Sequence, residues 1–114
     1  MKKLTFLFLI FLSFVGNAQQ EEITKFIKDE SIGGKLDFTK TSEEQAKGAY
    51  FILFDKIAYN KKDFAILLWS AKAKSLGIEK LNTIIQLWEE IHNRKLTEPE
   101  KKALKKGFEI KLEI

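Results

Sequence analysis

The chain has 114 residues, with 20 basic and 16 acidic side chains, a formal charge of +4, one proline, one histidine and no cysteine. That length fits one small globular domain. The lack of cysteine excludes a disulfide-stapled scaffold, thiol catalysis and an acylated lipoprotein, whose lipid needs a cysteine to carry it.

Lys2 and Lys3, the apolar run 4–15 and the small-residue site Gly16-Asn17-Ala18 stand in the order of a secretory signal. Residues 4–15, at about 1.5 Å each, reach roughly 18 Å, well short of a hydrocarbon core of about 30 Å. Residues 1–18 are therefore expected to be a secretory signal peptide cut after Ala18, not a membrane anchor. Residues 19–114 are expected to form a single small helical domain, exported to the periplasm or the extracellular space, with no transmembrane span. Losing Lys2 and Lys3 lowers the formal charge from +4 to +2. A charge so nearly balanced makes no case for nucleic acid as a partner. The aromatics left after cleavage, Phe26 to Phe108, are enough to build a core by packing alone.

In residues 20–30, Ile23, Phe26 and Ile27 recur at helical spacing behind acidic residues that suit the positive end of the helix dipole, and Gly33-Gly34 ends this helix. Residues 35–39 alternate Leu36 and Phe38 with polar neighbours, as a short strand or an extended linker would. The stretch TSEEQ at 41–45 offers hydroxyl caps with Glu44 or Gln45 three positions on, so a helix is expected over 43–59, with Gly48 as a local cost of about 1 kcal/mol relative to alanine. The run AYFILF at 49–54 reads as a buried strand just as well on periodicity. The absence of a strong turn signal, and the stripe Ala46, Tyr50, Leu53, Ile57, favour the helix.

The polar break 60–63, ending in Asp63 as cap, introduces a helix over 64–76 that is apolar all round in its first half and so belongs in the middle of a bundle. Gly77 stops it. The stripe Ile78, Leu81, Ile84, Ile85, Trp88, Ile91 marks the next helix, and Thr97 with Glu100 forms a capping box for a short basic helix to Lys106. Gly107 is expected to close that helix, and FEIKLEI then alternates as a terminal strand. The expected fold is mainly α: a bundle of four to five helices, with 35–39 and 108–114 as the pair for a short two-stranded ribbon. ILLW at 66–69 resembles IQLW at 85–88, but two hairpins are too few for a repeat solenoid.

No serine sits in a G-x-S-x-G setting, no glycine-rich loop could cradle a phosphate, and any triad would have to use His92. Glu89-x-x-His92 has the spacing of a metal-bridging helix motif, which with one histidine per chain needs a symmetric dimer to complete it. The same pair equally suits a solvated helix end, with His92 near the negative end of the dipole. Glu89, Glu90 and Asp55 are the carboxylates from which a hydrolytic pair could be drawn. Trp69 and Trp88 could offer stacking faces, although tryptophan within an aliphatic stripe is core more often. Arg94, Lys95, Lys101, Lys102, Lys105 and Lys106 could form a basic surface for anionic lipid or polymer, with Ala103 and Leu104 its few apolar anchors.

These residues assemble no catalytic set and imply no cofactor. The chain is expected to work by binding, with another protein as partner, as an inhibitor, an immunity-type protein or an accessory subunit of the envelope. A metal-dependent enzyme on a dimeric bundle and a polyanion or membrane-surface binder are the two alternatives.

Overall fold

A computed structural model describes residues 19–110, so the expected signal peptide lies outside the described residues. The described residues are mainly helical with one two-stranded antiparallel sheet. In order, the elements are α1 (residues 19–30), α2 (Thr39–Ala46), β1 (Phe51–Phe54), β2 (Ile57–Asn60), α3 (Lys61–Leu76), α4 (Leu81–His92) and α5 (Glu98–Glu109).

Helix α1 ends where the sequence places its stop, with Gly33 at φ 73° and the N–H of Leu36 turned back to the Glu30 carbonyl at 2.9 Å. Residues 35–39 are not a strand. They form a turn and the first residue of α2, held by Asp37, whose carboxylate accepts the Gly33 N–H at 2.8 Å on one oxygen, and the Thr39 N–H at 3.1 Å and hydroxyl at 2.7 Å on the other. Asp37 therefore satisfies the start of α2 in place of the TSEEQ hydroxyls. Phe38, at the N-cap position, makes no side-chain cap, and Ser42 is buried and donates to the Lys61 carbonyl.

The helix expected over 43–59 is corrected at Lys47. Lys47 (φ 50°) and Gly48 (φ 85°) take left-handed backbone and end α2. The apolar run that follows is strand, paired Phe51↔Asn60, Ile52↔Tyr59, Leu53↔Ala58 and Phe54↔Ile57 around the two-residue turn Asp55-Lys56. Both turn residues have positive φ, 49° and 66°, which matches the right-handed twist of the strands. The sheet is this local hairpin, not the long-range pair 35–39 with 108–114. Residues 111–114 lie outside the described residues.

Helix α3 begins at Lys61 because Asn60, not Asp63, is its cap, accepting the Asp63 N–H at 2.7 Å. It stops at Gly77, where the Gly77 N–H donates to Lys74 and the Ile78 N–H to Ala73. Helix α4 presents Ile84, Leu87 and Trp88 to the core. Helix α5 starts on the expected capping box, with the Thr97 and Glu100 side chains each taking the other's backbone N–H.

It does not close at Gly107. That glycine is buried in the helix, where a Cβ would lie 2.0 Å from the Leu67 carbonyl oxygen. A bare backbone is what lets α5 lie against α3.

Two apolar clusters share α3 and α5. The larger joins Ile27, Leu36, Ile66, Trp69, Ala73, Ile78, Ile84, Leu87, Trp88, Leu96 and Leu104. The smaller joins Ala46, Ile52, Tyr59, Phe64, Leu67 and Ala103 beneath the hairpin. Fully burying one leucine or isoleucine contributes about 1.5–3 kcal/mol, so the larger cluster supplies most of the driving force. The apolar stretch of α3, Phe64 to Trp69, faces both.

Candidate binding cleft

A cleft of about 410 Å³ opens between the α1–α2 connection, the first turns of α3 and the end of α4. Its floor is apolar, formed by Leu36, Phe38, Ala65, Ile66, Trp69 and Trp88. Its rim is polar, with Asp37 and Glu43 against Lys61, Lys62 and Arg94, and His92 beside them.

Each wall is tied by hydrogen bonds, ion pairs or stacking. Trp69 is 4% exposed, and its indole N–H donates to the Ser31 hydroxyl at 2.8 Å; Ser31 in turn donates to the Ile27 carbonyl. A polar bond 38 residues long in sequence thus fixes α1 against α3 inside the core. On the opposite wall the His92 ring stacks on Trp88, one helical turn away, with centroids 4.2 Å apart, and the Arg94 guanidinium lies 4.7 Å from the centre of the Trp88 ring.

Behind the cleft, Glu100, which is 2% exposed, holds the rim residues Arg94 and Lys62. Its carboxylate accepts two bonds from Arg94, at 2.8 and 2.7 Å, and one from the Thr97 N–H at 2.9 Å, with the Lys62 ammonium 3.2 Å away. The Arg94 fork, followed by the Thr97 donors, holds this carboxyl far below the usual range. Asp63 nearby is pushed up by its own burial and then by the Glu100 charge. Burial, then the Arg94 charge, depresses His92, so its imidazole is neutral at pH 7. Asp37 is lowered by the Thr39 hydroxyl and the Gly33 N–H.

The structure separates the carboxylates considered for chemistry. Glu89 accepts the Leu96 N–H at 2.9 Å, which lowers its pKa, and lies 3.5 Å from Lys95, so it braces the α4–α5 link. Glu90 faces Lys28 of α1 at 3.0 Å. Asp55 is at the hairpin turn, paired with Lys106. Glu89 and His92 share a helix face by spacing, but Glu89 bonds into the link while His92 lines the cleft. Among the described residues no three His, Cys, Asp or Glu side chains group as a metal site would require.

The basic run is divided in the same way. Arg94, Lys95 and Lys106 have carboxylate partners, while Lys101, Lys102 and Lys105 have none among the described residues. No described helix is long and apolar enough to cross a membrane.

Trp69, Trp88, His92 and Arg94 drew attention in the sequence, and all four line the cleft. Ser31, Asp37, Glu43, Lys61 and Lys62 did not. The one local signal among them is Asp37-x-Thr39, whose spacing permits a side chain to bond backbone two residues on. No family model, curated protein or solved structure matches this chain.

Proposed function

We propose that this chain is an exported binding protein that recognises another protein by receiving one of its apolar side chains in the cleft floored by Trp69 and Trp88. The observation that carries the reading is a concave apolar floor, ringed by charges of both signs, on walls fixed by the buried Trp69–Ser31 hydrogen bond and the part-buried Arg94–Glu100 pair. Its size is at the low end of ligand pockets, which run from about 300 to 1,000 Å³, and suits one or two side chains. A rim of mixed sign favours a polypeptide, whose main chain offers donors and acceptors together, over a polymer of one charge. Export is supported by the order of charge, apolar run and small residues in 1–18.

Affinity capture from the envelope fraction, using the wild-type chain and Ala65→Phe, tests this. The phenylalanine fills the cleft from a half-buried floor position. A stoichiometric companion held by the wild type and lost with Ala65→Phe is the expected result, on protein whose mass begins at Gln19. Both tryptophans of the chain line the cleft, so the same companion should shift the intrinsic fluorescence. A companion kept by Ala65→Phe but lost on reversing Lys102 and Lys105 to glutamate would overturn the cleft and favour the basic face of α5.

A further inference from the structure

Taking the cleft as the binding site proposed above, we infer that what it receives is the last residue of the partner chain: an apolar side chain on the floor of Trp69 and Trp88, with the terminal carboxylate against Lys61, Lys62 and His92.

The polar rim is sorted by element. Both acids, Asp37 and Glu43, come from the α1–α2 connection and α2, whereas Lys61 and Lys62 open α3, and His92 and Arg94 lie at the end of α4 and just beyond it. One side is acidic and the other basic. A terminal residue carries an N–H and a carboxylate on the same Cα, so its own polarity matches that arrangement.

Hydrogen-bonding capacity is uneven as well. Asp37 is spent on its own turn, with three donors already on its two oxygens. The Ser31 hydroxyl accepts from Trp69 and donates to Ile27, and Arg94 gives both terminal nitrogens to Glu100. Donors are what remain. The Lys62 ammonium has three N–H groups and a single carboxylate contact, to Glu100, while Lys61 and His92 have no carboxylate partner among the described residues. Glu100 balances only one of the two cations it holds, Lys62 and Arg94, so this end of the cleft is one carboxylate short of neutral. Across from it the exposed Glu43 side chain is left to accept the N–H of an incoming main chain.

A chain end meets these demands in the least space. Its side chain and its carboxylate stand on one carbon and enter a cleft of about 410 Å³ together. Inside an extended segment, an acidic side chain next in sequence points to the opposite face, and one two positions on stands about 6.6 Å away.

Tryptophan fluorescence of the purified chain reads the test, because both tryptophans line the cleft. The probes are acetyl-trialanyl-phenylalanine as the free acid, the same peptide as its C-terminal amide, and octanoate. The acid is expected to bind about tenfold more tightly than the amide. Lys61→Gln with Lys62→Gln should bring that ratio below about threefold while leaving amide binding and circular dichroism unchanged, and Ala65→Phe should remove both peptides.

Acid and amide bound alike, no binding of the acid at millimolar concentration, or a ratio untouched by the two glutamines would each overturn the chain end while leaving the cleft standing. Acid binding that survives Ala65→Phe would overturn the cleft and its occupant together. Octanoate held more tightly than the peptide acid would replace the chain end with a free apolar acid.

Discussion

Glu100 and His92 show how single side chains set the conditions under which this fold persists. Glu100 titrates far lower folded than unfolded, because Arg94, Thr97 and Lys62 all favour its charged form. Its contribution is therefore complete above the ordinary glutamate value of about 4.3 and is lost as pH falls below it. His92 is also depressed, here by burial and the Arg94 charge. The unfolded chain takes up that proton first, so stability is full above about pH 6.5 and declines as pH drops toward the folded value. Asp63 acts in the opposite sense, since its raised value favours the fold in acid. Urea titrations should show a shallow loss below about pH 6.5, with a slope of at most about 1.4 kcal/mol per pH unit, and a second loss below about pH 4.3. His92→Gln should abolish the first and keep the second. A first stage that survives the substitution would assign it to another group.

At the scale of elements, the contact of Gly107 with Leu67 is the tightest constraint. On propensity alone Gly107→Ala should gain about 1 kcal/mol, but the added methyl meets a carbonyl oxygen at 2.0 Å and must push two helices apart. Sterics should win, with a net loss of about 2–3 kcal/mol in denaturant unfolding; a stabilised variant would mean that the helices are not in backbone contact. The same glycine shows how far the sequence could be read. Gly107 looked like a stop because glycine commonly ends helices, and a packing role depends on a neighbour 40 positions away. Residues 49–59 misled for a related reason. Lys47-Gly48 is a left-handed stop that resembled a local penalty, and the turn Asp55-Lys56 forms without the glycine that usually marks it. With both signals muted, a six-residue apolar run fits helix and strand alike. Where the chemistry is local, the reading held: the Thr97–Glu100 capping box, the stop at Gly77 and the stripe from Ile78 to Ile91 are all present.

For the whole molecule, mainly helical architecture was legible because it depends on periodicity, whereas the cleft was legible only in part. Its aromatic and cationic members stood out by residue type. Ser31 and Lys62 acquire their roles from partners in other elements, Trp69 and Glu100, which no spacing rule connects, whereas Asp37 acts on its own neighbours Gly33 and Thr39. One consequence follows from the way α3 and α5 contribute adjacent residues, Ile66 and Leu67, Leu104 and Ala103, to different clusters. The two clusters are rooms with common walls, so neither can be dismantled while the other stands. Tryptophan emission, which belongs to the larger cluster, and hydrogen exchange at the hairpin amides of Ile52 and Tyr59, over the smaller one, should therefore report one free energy of opening. Were the hairpin to exchange far more readily, the walls would be separate and melting would proceed in two steps.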